Sequence, residues 1–263
     1  MIDAKRQIRI CVDFIRHYFE MNGTPETKAV IGISGGKDST VAAALLVRAL
    51  GKDRVVGVMM PQDYQNDLDD AYKVCETLGI EHHVINIGAT CESLYAAFAS
   101  NSGYELTNQI RTNAPSRIRM NVLYMVAAAV GGRVCNTGNA SEAFIGYTTK
   151  YGDLAGDFAL LRPFTVREVY AIGDALEELP YELVHKAPAD GMSGKTDEEN
   201  IGISYDVIDD HLLYGAIPED FTTWQKMCVL NTRNMHKQDA VRLPAPHRES
   251  GFLHNLTHIV ERV

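Results

Sequence analysis

Apolar runs that alternate with helix-length stretches limit what this chain can fold into more than any single residue does. Ala29-Val30-Ile31-Gly32-Ile33 reads as a strand, and Ser39–Leu50, rich in alanine and leucine, as the helix behind it. Arg54–Met60 with Leu68–Leu78 repeats the pair, and so does Glu81–Ile87 with Cys91–Ala99. After a polar stretch, Ser116–Val130 reads as a further helix and Arg133–Thr137 as a short fourth strand. Strands separated by whole helices pair parallel, so the expected class is α/β: a parallel twisted sheet with helices on both faces and right-handed crossovers. Ligands of such sheets bind beyond the carboxyl ends of the strands. Chemistry is therefore expected in the loops after Ile33, Met60, Ile87 and Thr137.

The flanks are helical. Residues 3–21 carry Ile8, Cys11, Val12, Ile15 and Phe19 at helical spacing, before a Gly-Thr-Pro break at 23–25. Residues 146–163 read as a loop and 165–179 as a helix stopped by Pro180. Residues 186–196 (KAPADGMSGKT) form a polar connector, the candidate for a lid over a bound ligand. Thr196-Asp197-Glu198-Glu199 opens a helix to about Leu213 with a capping box, and 219–236 is helical again before a tail with Pro244 and Pro246. The expectation is one domain, 1–263, with C-terminal helices.

Charge and cysteine usage exclude several classes of function. A net charge of −9 argues against nucleic acid, whose phosphates need a basic face. No window approaches 18 uninterrupted apolar residues, so no membrane span is expected. The N-terminus mixes charges through its apolar positions, unlike a signal peptide. The five cysteines are far apart and form no C-x-x-C, which fits reduced thiols in a cytoplasm.

The strongest local signal is Ser34-Gly35-Gly36-Lys37-Asp38-Ser39, between the first strand and its helix. Two glycines let the backbone approach an anion, and the helix behind them offers unpaired N–H groups and a positive dipole end. Ser34 and Ser39 add hydroxyls. A Walker A loop would need glycine where Ile31 stands, and no G-x-G-x-x-G is present. Asp38 would repel phosphates unless a divalent cation intervened, which points to a Mg²⁺ ligand. The plainer reading is a tight turn with a helix-capping aspartate.

At this hexapeptide the sequence resembles the N-type ATP pyrophosphatases, whose signature is Ser-Gly-Gly-x-Asp-Ser after the first strand. The resemblance implies an adenine nucleotide alpha hydrolase-like fold and an enzyme that cleaves ATP to AMP and pyrophosphate while adenylating a substrate oxygen. Downstream, Arg117-Ile118-Arg119-Met120, Asn136-Thr137-Gly138-Asn139-Ala140-Ser141-Glu142, the loop Gly146–Asp153 with Asp157, Lys186–Asp190, and Thr196–Asp209 follow in order. Singly, these pieces also fit a solvated arginine, a glycine turn before helix-opening acids, and an exposed lysine. As a series from about residue 25 to about 240 they resemble the NAD synthetases.

That resemblance implies a set of roles. Gly32, Ile33, Ser34, Gly35, Gly36, Lys37, Asp38 and Ser39 would bind the ATP phosphates, and Thr137 would also contact ATP. Asp38 and Glu142 would hold Mg²⁺. Arg117, Lys150, Asp157, His236 and Lys237 would bind deamido-NAD, with Asp38 and Lys150 closest to the chemistry. Two segments depart from many relatives, and two further residues follow one variant among them. Val166 stands where many relatives have a lysine touching ATP, with Arg167 beside it, and Lys186-Ala187-Pro188-Ala189-Asp190-Gly191 is a shortened form of a family segment that carries a hydroxyl ligand for ATP before its Ala-Asp. Asn139 and Ser141 follow one of two common family variants. About 25 residues before the first strand leave no room for a glutaminase domain, so free ammonia is the expected nitrogen donor. The family also implies a homodimer in the cytoplasm. Two alternatives stand beside this reading: another carboxylate-activating ligase of the same superfamily, and an ATP-binding module without turnover.

Overall fold

Five parallel strands lie in the order β3-β2-β1-β4-β5. They are β1 (Ala29–Gly32), β2 (Val55–Met59), β3 (Glu81–Val84), β4 (Arg133–Asn136) and β5 (Phe158–Ala159). The computed structural model describes residues 2–63, 68–185 and 196–238. Of the connector at 186–196 only Thr196 is among these, so the expected lid, with Ala189, lies outside the described residues, as do Pro244 and Pro246.

Period-two alternation decides which strand residue faces which layer. Ala29, Ile31, Val55 and Met59 enter one apolar cluster, whereas Val30, Val56, Val58 and Val134 enter another. Against the first cluster pack α1 (Ala4–Asn22), α2 (Lys37–Leu50) and α3 (Leu68–Leu78). The second is covered by α5 (Asn108–Val130) through Met120, Leu123 and Ala127, with α4 (Gly88–Asn101) beside α5. The helices α6 (Ala140–Ile145), α7 (Val166–Asp174), α8 (Tyr181–Val184), α9 (Asp197–Ile201), α10 (Tyr205–Tyr214) and α11 (Phe221–Gln238) complete the described chain. Ile145, Val166, Ile201, Ile203, Tyr205, Ile208 and Met227 close a smaller core between them. No helix among the described residues is long and apolar enough to cross a membrane.

Beyond shifts of a few residues at element ends, four departures from the sequence reading have a local reason. First, α5 begins at Asn108 rather than Ser116 and runs through Pro115. Pro115 offers no N–H to the Arg111 carbonyl, which accepts instead from the Tyr95 hydroxyl at 3.2 Å. Second, the helix expected over 165–179 ends at Asp174, and a separate turn starts after Pro180. Third, the Thr196 capping box forms, but its helix stops at Gly202 (φ +67), and α10 starts anew after Ser204. Fourth, the loop expected over 146–163 contains β5, whose Asn136↔Ala159 pairing adds the fifth strand.

Strand order reverses between β1 and β4: the chain leaves β1 toward β2 and β3 on one side, and β4 and β5 lie on the other. Connections from β1 and β4 diverge there and leave a crevice above the carboxyl ends.

Candidate functional site

The crevice is a cavity of about 660 Å³. Its walls come from Gly32–Ser39 except Gly35, the β2 end at Met59–Pro61, the inner side of α5, Cys135–Gly138 after β4, Glu142 on α6 and Gly146–Thr149 beyond it. The glycine loop, Thr137, Glu142 and Lys237 of the expected site residues thus share one space.

The loop is shaped by its own residues. Gly35 sits at φ +78, a conformation that L side chains avoid. Ser34 Oγ accepts from the Gly36 N–H at 3.2 Å and lies 3.1 Å from Ser39 Oγ. Ser39 and Thr40 hydroxyls both donate to the Gly36 carbonyl, at 3.0 and 2.9 Å. No side chain caps α2 at Gly36, so the helix's first N–H groups keep their capacity for an anion.

Asp38 and Glu142 meet through Asn139. The Asn139 amide Nδ2 donates to Asp38 Oδ1 at 3.1 Å, its backbone N–H donates to Glu142 Oε2 at 3.0 Å, and its Oδ1 accepts from the Glu142 N–H at 3.0 Å. Asn139 is fully buried. The last two bonds form an N-terminal capping box on α6, so one residue orients both carboxylates. Lys37, also buried, places its ammonium 2.8 Å from Asp38 Oδ2. Its ammonium is also 5.6 Å and 5.9 Å from the ring centres of Tyr170 and Tyr205.

Burial and the neighbouring Asp38 push the Glu142 carboxyl up to about 8. Burial pulls the Lys37 ammonium down, but Asp38 and Glu142 more than offset it and hold the group above its ordinary value. The Tyr205 hydroxyl is buried with no hydrogen-bond partner among the described residues. Burial, then Glu142, Asp197 and Asp38, keep it protonated.

Two hard carboxylate oxygens converging on a glycine loop match the donor set of Mg²⁺. That ion uses one or two protein carboxylates and leaves other positions to phosphate and water. Among the described residues no cluster of three or more His, Cys, Asp or Glu side chains suited to a metal occurs, so the pair is all the carboxylate this candidate metal site offers. Asp38 and Glu142 could therefore hold a divalent cation, which would relieve the repulsion expressed in the raised Glu142 value.

Other expected residues are elsewhere. Arg117 is exposed on α5, where its Nε donates to the Lys150 carbonyl at 3.1 Å, and it does not line the cavity. Asp157 accepts the Val134 N–H on Oδ2 at 2.7 Å and lies 3.5 Å from the Tyr124 hydroxyl. Lys150 Nζ donates to the His236 carbonyl at 2.5 Å, and His236 is exposed. None of these four lines the cavity: Arg117, Lys150 and His236 are joined through backbone carbonyls, and Asp157 meets β4 and Tyr124. Lys237 lines the cavity and donates to the Gly146 and Thr148 carbonyls at 2.8 and 2.9 Å. Arg167 turns away, paired with Asp210 at 2.7 Å and Asp206 at 3.1 Å, while Val166 is buried against the α10 core. Arg167 therefore does not replace a cavity lysine at 166.

Arg119, two residues from Arg117 and so on another side of the helix, does line the cavity. Its Nε donates to the Met60 carbonyl at 3.0 Å. Reading R-x-R by helical rotation against the buried Met120 and Leu123 would have separated the two arginines. The bridging role of Asn139 has a weaker signal, the Asn-x-x-Glu capping box.

Comparison with known proteins places the sequence and the fold in one family. The family described as NAD synthase matches residues 7–244. The NH(3)-dependent NAD(+) synthetase of Thermococcus sibiricus is 39% identical over 217 residues, 82% of each chain. That of Thermococcus kodakarensis is 39% identical over 212 residues, 80% of this chain and 81% of its own. Among solved structures, NMN synthetase from Francisella tularensis superimposes with a TM-score of 0.84 at 31% identity, covering 93% of this chain and 100% of that one. NH3-dependent NAD synthetase from Campylobacter jejuni does so with a TM-score of 0.74 at 27% identity, with the same coverage.

Proposed function

This chain belongs to the NAD synthase family, and from that premise we propose that it amidates deamido-NAD with ammonia, using ATP and giving NAD, AMP and pyrophosphate. It is a ligase that forms a carbon–nitrogen bond. The observation that carries the reading is the meeting of Asp38 and Glu142 through Asn139 beside the glycine loop. It occurs in a chain 39% identical to an NH(3)-dependent NAD(+) synthetase.

The reaction has two steps. A nicotinate carboxylate oxygen attacks the α-phosphorus of ATP, and the bond from that phosphorus to the pyrophosphate oxygen breaks. Ammonia then attacks the carbonyl carbon of the acyl-adenylate, the carbon–oxygen bond to AMP breaks, and the nitrogen loses a proton. The loop's N–H groups and the N-terminus of α2 hold the phosphates, and Thr137 contacts the nucleotide. Asp38 and Glu142 would hold Mg²⁺, which when bound would supply charge neutralisation for the departing pyrophosphate. The chain needs no nucleophilic side chain, because activation resides in the mixed anhydride. Its contribution is positioning and charge stabilisation. Arg119 and Lys237 supply positive charge to the cavity wall at the level of Met60 and Thr148.

Asp157 meets an exposed, largely apolar strip of α5 (Tyr124, Met125, Ala128 and Ala129) at Tyr124, and Arg117, which holds the Lys150 carbonyl, is exposed two turns earlier on the same helix. That placement supports a homodimer in which Arg117, Lys150, Asp157 and His236, with Lys237, contact the dinucleotide near the subunit interface. A single domain working in the cytoplasm on free ammonia completes the reading, and the NH(3)-dependent relatives support the donor.

A second reading keeps the chemistry and shortens the substrate. The likeness to NMN synthetase, at a TM-score of 0.84, favours a mononucleotide acid in place of the dinucleotide. One assay tests both. Purified protein is given Mg²⁺-ATP and ammonium with either deamido-NAD or nicotinate mononucleotide, and AMP and pyrophosphate are counted with the amide product. NAD, AMP and pyrophosphate in equal amounts, with a higher kcat/KM on deamido-NAD, is the expected result. Preference for the mononucleotide would replace the first reading with the second. Pyrophosphate release with neither acid would overturn both, and equal activity with glutamine would overturn the donor.

A further inference from the structure

Three of the four carboxylate oxygens at the Asp38–Glu142 pair already have partners. Asp38 Oδ1 accepts from Asn139 Nδ2, Glu142 Oε2 accepts from the Asn139 N–H, and Asp38 Oδ2 accepts from Lys37. The first two bonds set the angle between the carboxylates and need not change when a cation arrives. The third is different in kind, because its donor is itself a cation. A divalent ion and an ammonium on one carboxylate repel each other at close range, and that repulsion exceeds what a charge-assisted hydrogen bond supplies.

Lys37 is also seated so that it can move. Its side chain is 8% exposed, yet it lines the cavity, and its ammonium lies within 6 Å of two ring centres, Tyr170 at 5.6 Å and Tyr205 at 5.9 Å. Aromatic faces attract a cation without fixing it at one point. An ammonium displaced from Asp38 therefore stays between the rings and within the cavity wall, next to the loop where an anion would lie.

We propose that Lys37 is an internal competitor for the metal: its ammonium and a divalent cation contend for Asp38 Oδ2, and a nucleotide phosphate releases the contest by giving the ammonium a new partner. Metal and nucleotide then bind cooperatively through one side chain. Metal alone must displace an ammonium that has nowhere equivalent to go, whereas metal with nucleotide meets an Asp38 that Lys37 has exchanged for phosphate. The coupling rests on the metal assignment made above and not on which acid is amidated.

The test is Mn²⁺ binding to the intact protein, read from the free-ion paramagnetic resonance signal, with and without α,β-methylene-ATP, whose scissile bond cannot be cleaved. Lys37→Gln removes the ammonium and keeps a polar group of similar length. It should tighten Mn²⁺ binding without nucleotide on the order of tenfold, weaken analogue binding, and shrink the coupling between the two. Lys37→Arg keeps the charge and should retain weak metal binding in the absence of nucleotide. Lys37→Gln protein that unfolds at the wild-type temperature but binds Mn²⁺ alone no better than wild type would overturn the proposal. Gains of equal size in Lys37→Gln and Lys37→Arg would overturn it too, since charge would not be the cause. If the wild type binds Mn²⁺ only with the analogue and Lys37→Gln binds it without, the competitor role stands. If neither protein binds Mn²⁺ in either condition, the metal assignment itself fails.

Discussion

At the scale of single residues, the carboxyl of Glu142 is the group whose state most depends on solution conditions. Its pKa is raised from an ordinary 4.5 to about 8, first by burial and then by the charge of Asp38. A carboxyl raised in this way binds its proton more tightly in the folded chain than in the unfolded one. Its contribution to stability is thus fully present below about pH 4.5 and is lost as pH rises through about 8. In chelator, wild-type protein should therefore lose stability relative to Glu142→Gln between pH 5 and pH 8, with a slope of at most about 1.4 kcal/mol per pH unit. Adding Mg²⁺ at pH 8 should return stability to the wild type alone, because the metal binds the deprotonated carboxylate. Urea denaturation of both proteins at three pH values checks this, and parallel curves would show that Glu142 titrates as an ordinary surface acid.

At the scale of elements, α5 shows how a side chain from another helix repairs a sequence-encoded break. Pro115 removes one rung of the ladder, and the Tyr95 hydroxyl from α4 takes over the orphaned Arg111 carbonyl. Tyr95→Phe should cost about 1 kcal/mol, the net worth of one such bond. The same change made on top of Pro115→Ala should cost less, since the alanine N–H restores the rung. Equal losses in both backgrounds, measured by urea denaturation, would sever the link between the two residues. This repair also marks a limit of what the chain's pattern reveals. Strands β1, β2 and β4 and the helices α1 to α3 follow from apolar periodicity, because each buries a stripe or a face that the spacing already displays. The first eight residues of α5 do not, because proline reads locally as a stop and its compensation comes from Tyr95, 16 positions before the Arg111 carbonyl it serves. Nor does β5, whose two residues are too few to show any period. The site divides in the same way. The glycine loop was legible because adjacent residues make the anion cradle, whereas the roles given to Thr137 and Glu142 came from the resemblance of the whole series. The Asn139–Asp38 bond spans 101 positions and the Arg119–Met60 bond 59, and only the assembled sheet brings those partners together.

At the scale of the whole molecule, the residues matched to substrate fall into two groups, and their separation bears on assembly. Lys37, Asp38, Thr137, Glu142 and Lys237 share the cavity, whereas Arg117, Lys150 and Asp157 do not line it: the Lys150 carbonyl meets α5 at Arg117 and Asp157 meets it at Tyr124. A lone chain would leave that second group open to water beside an apolar strip, in which Tyr124 is 38% and Met125 64% exposed. Apolar side chains at positions 124, 125, 128 and 129 run along one stripe of the helix, where a second copy can pack by helix-to-helix contact. If that stripe is the dimer contact, a charge at its centre should separate the subunits, because an unpaired carboxylate there would be buried against apolar surface. Met125→Glu should therefore sediment near 29.1 kDa where the wild type sediments near twice that mass. The kinetic signature should be uneven. The KM for the pyridine substrate should rise by tenfold or more, on the order of 1.4 kcal/mol of lost binding, while the KM for ATP changes little, because the glycine loop lies in the cavity on the other side of α5. A Met125→Glu protein that stays dimeric with unchanged kinetics would move the interface elsewhere. A monomer with both KM values unchanged would show that the second group works without a partner.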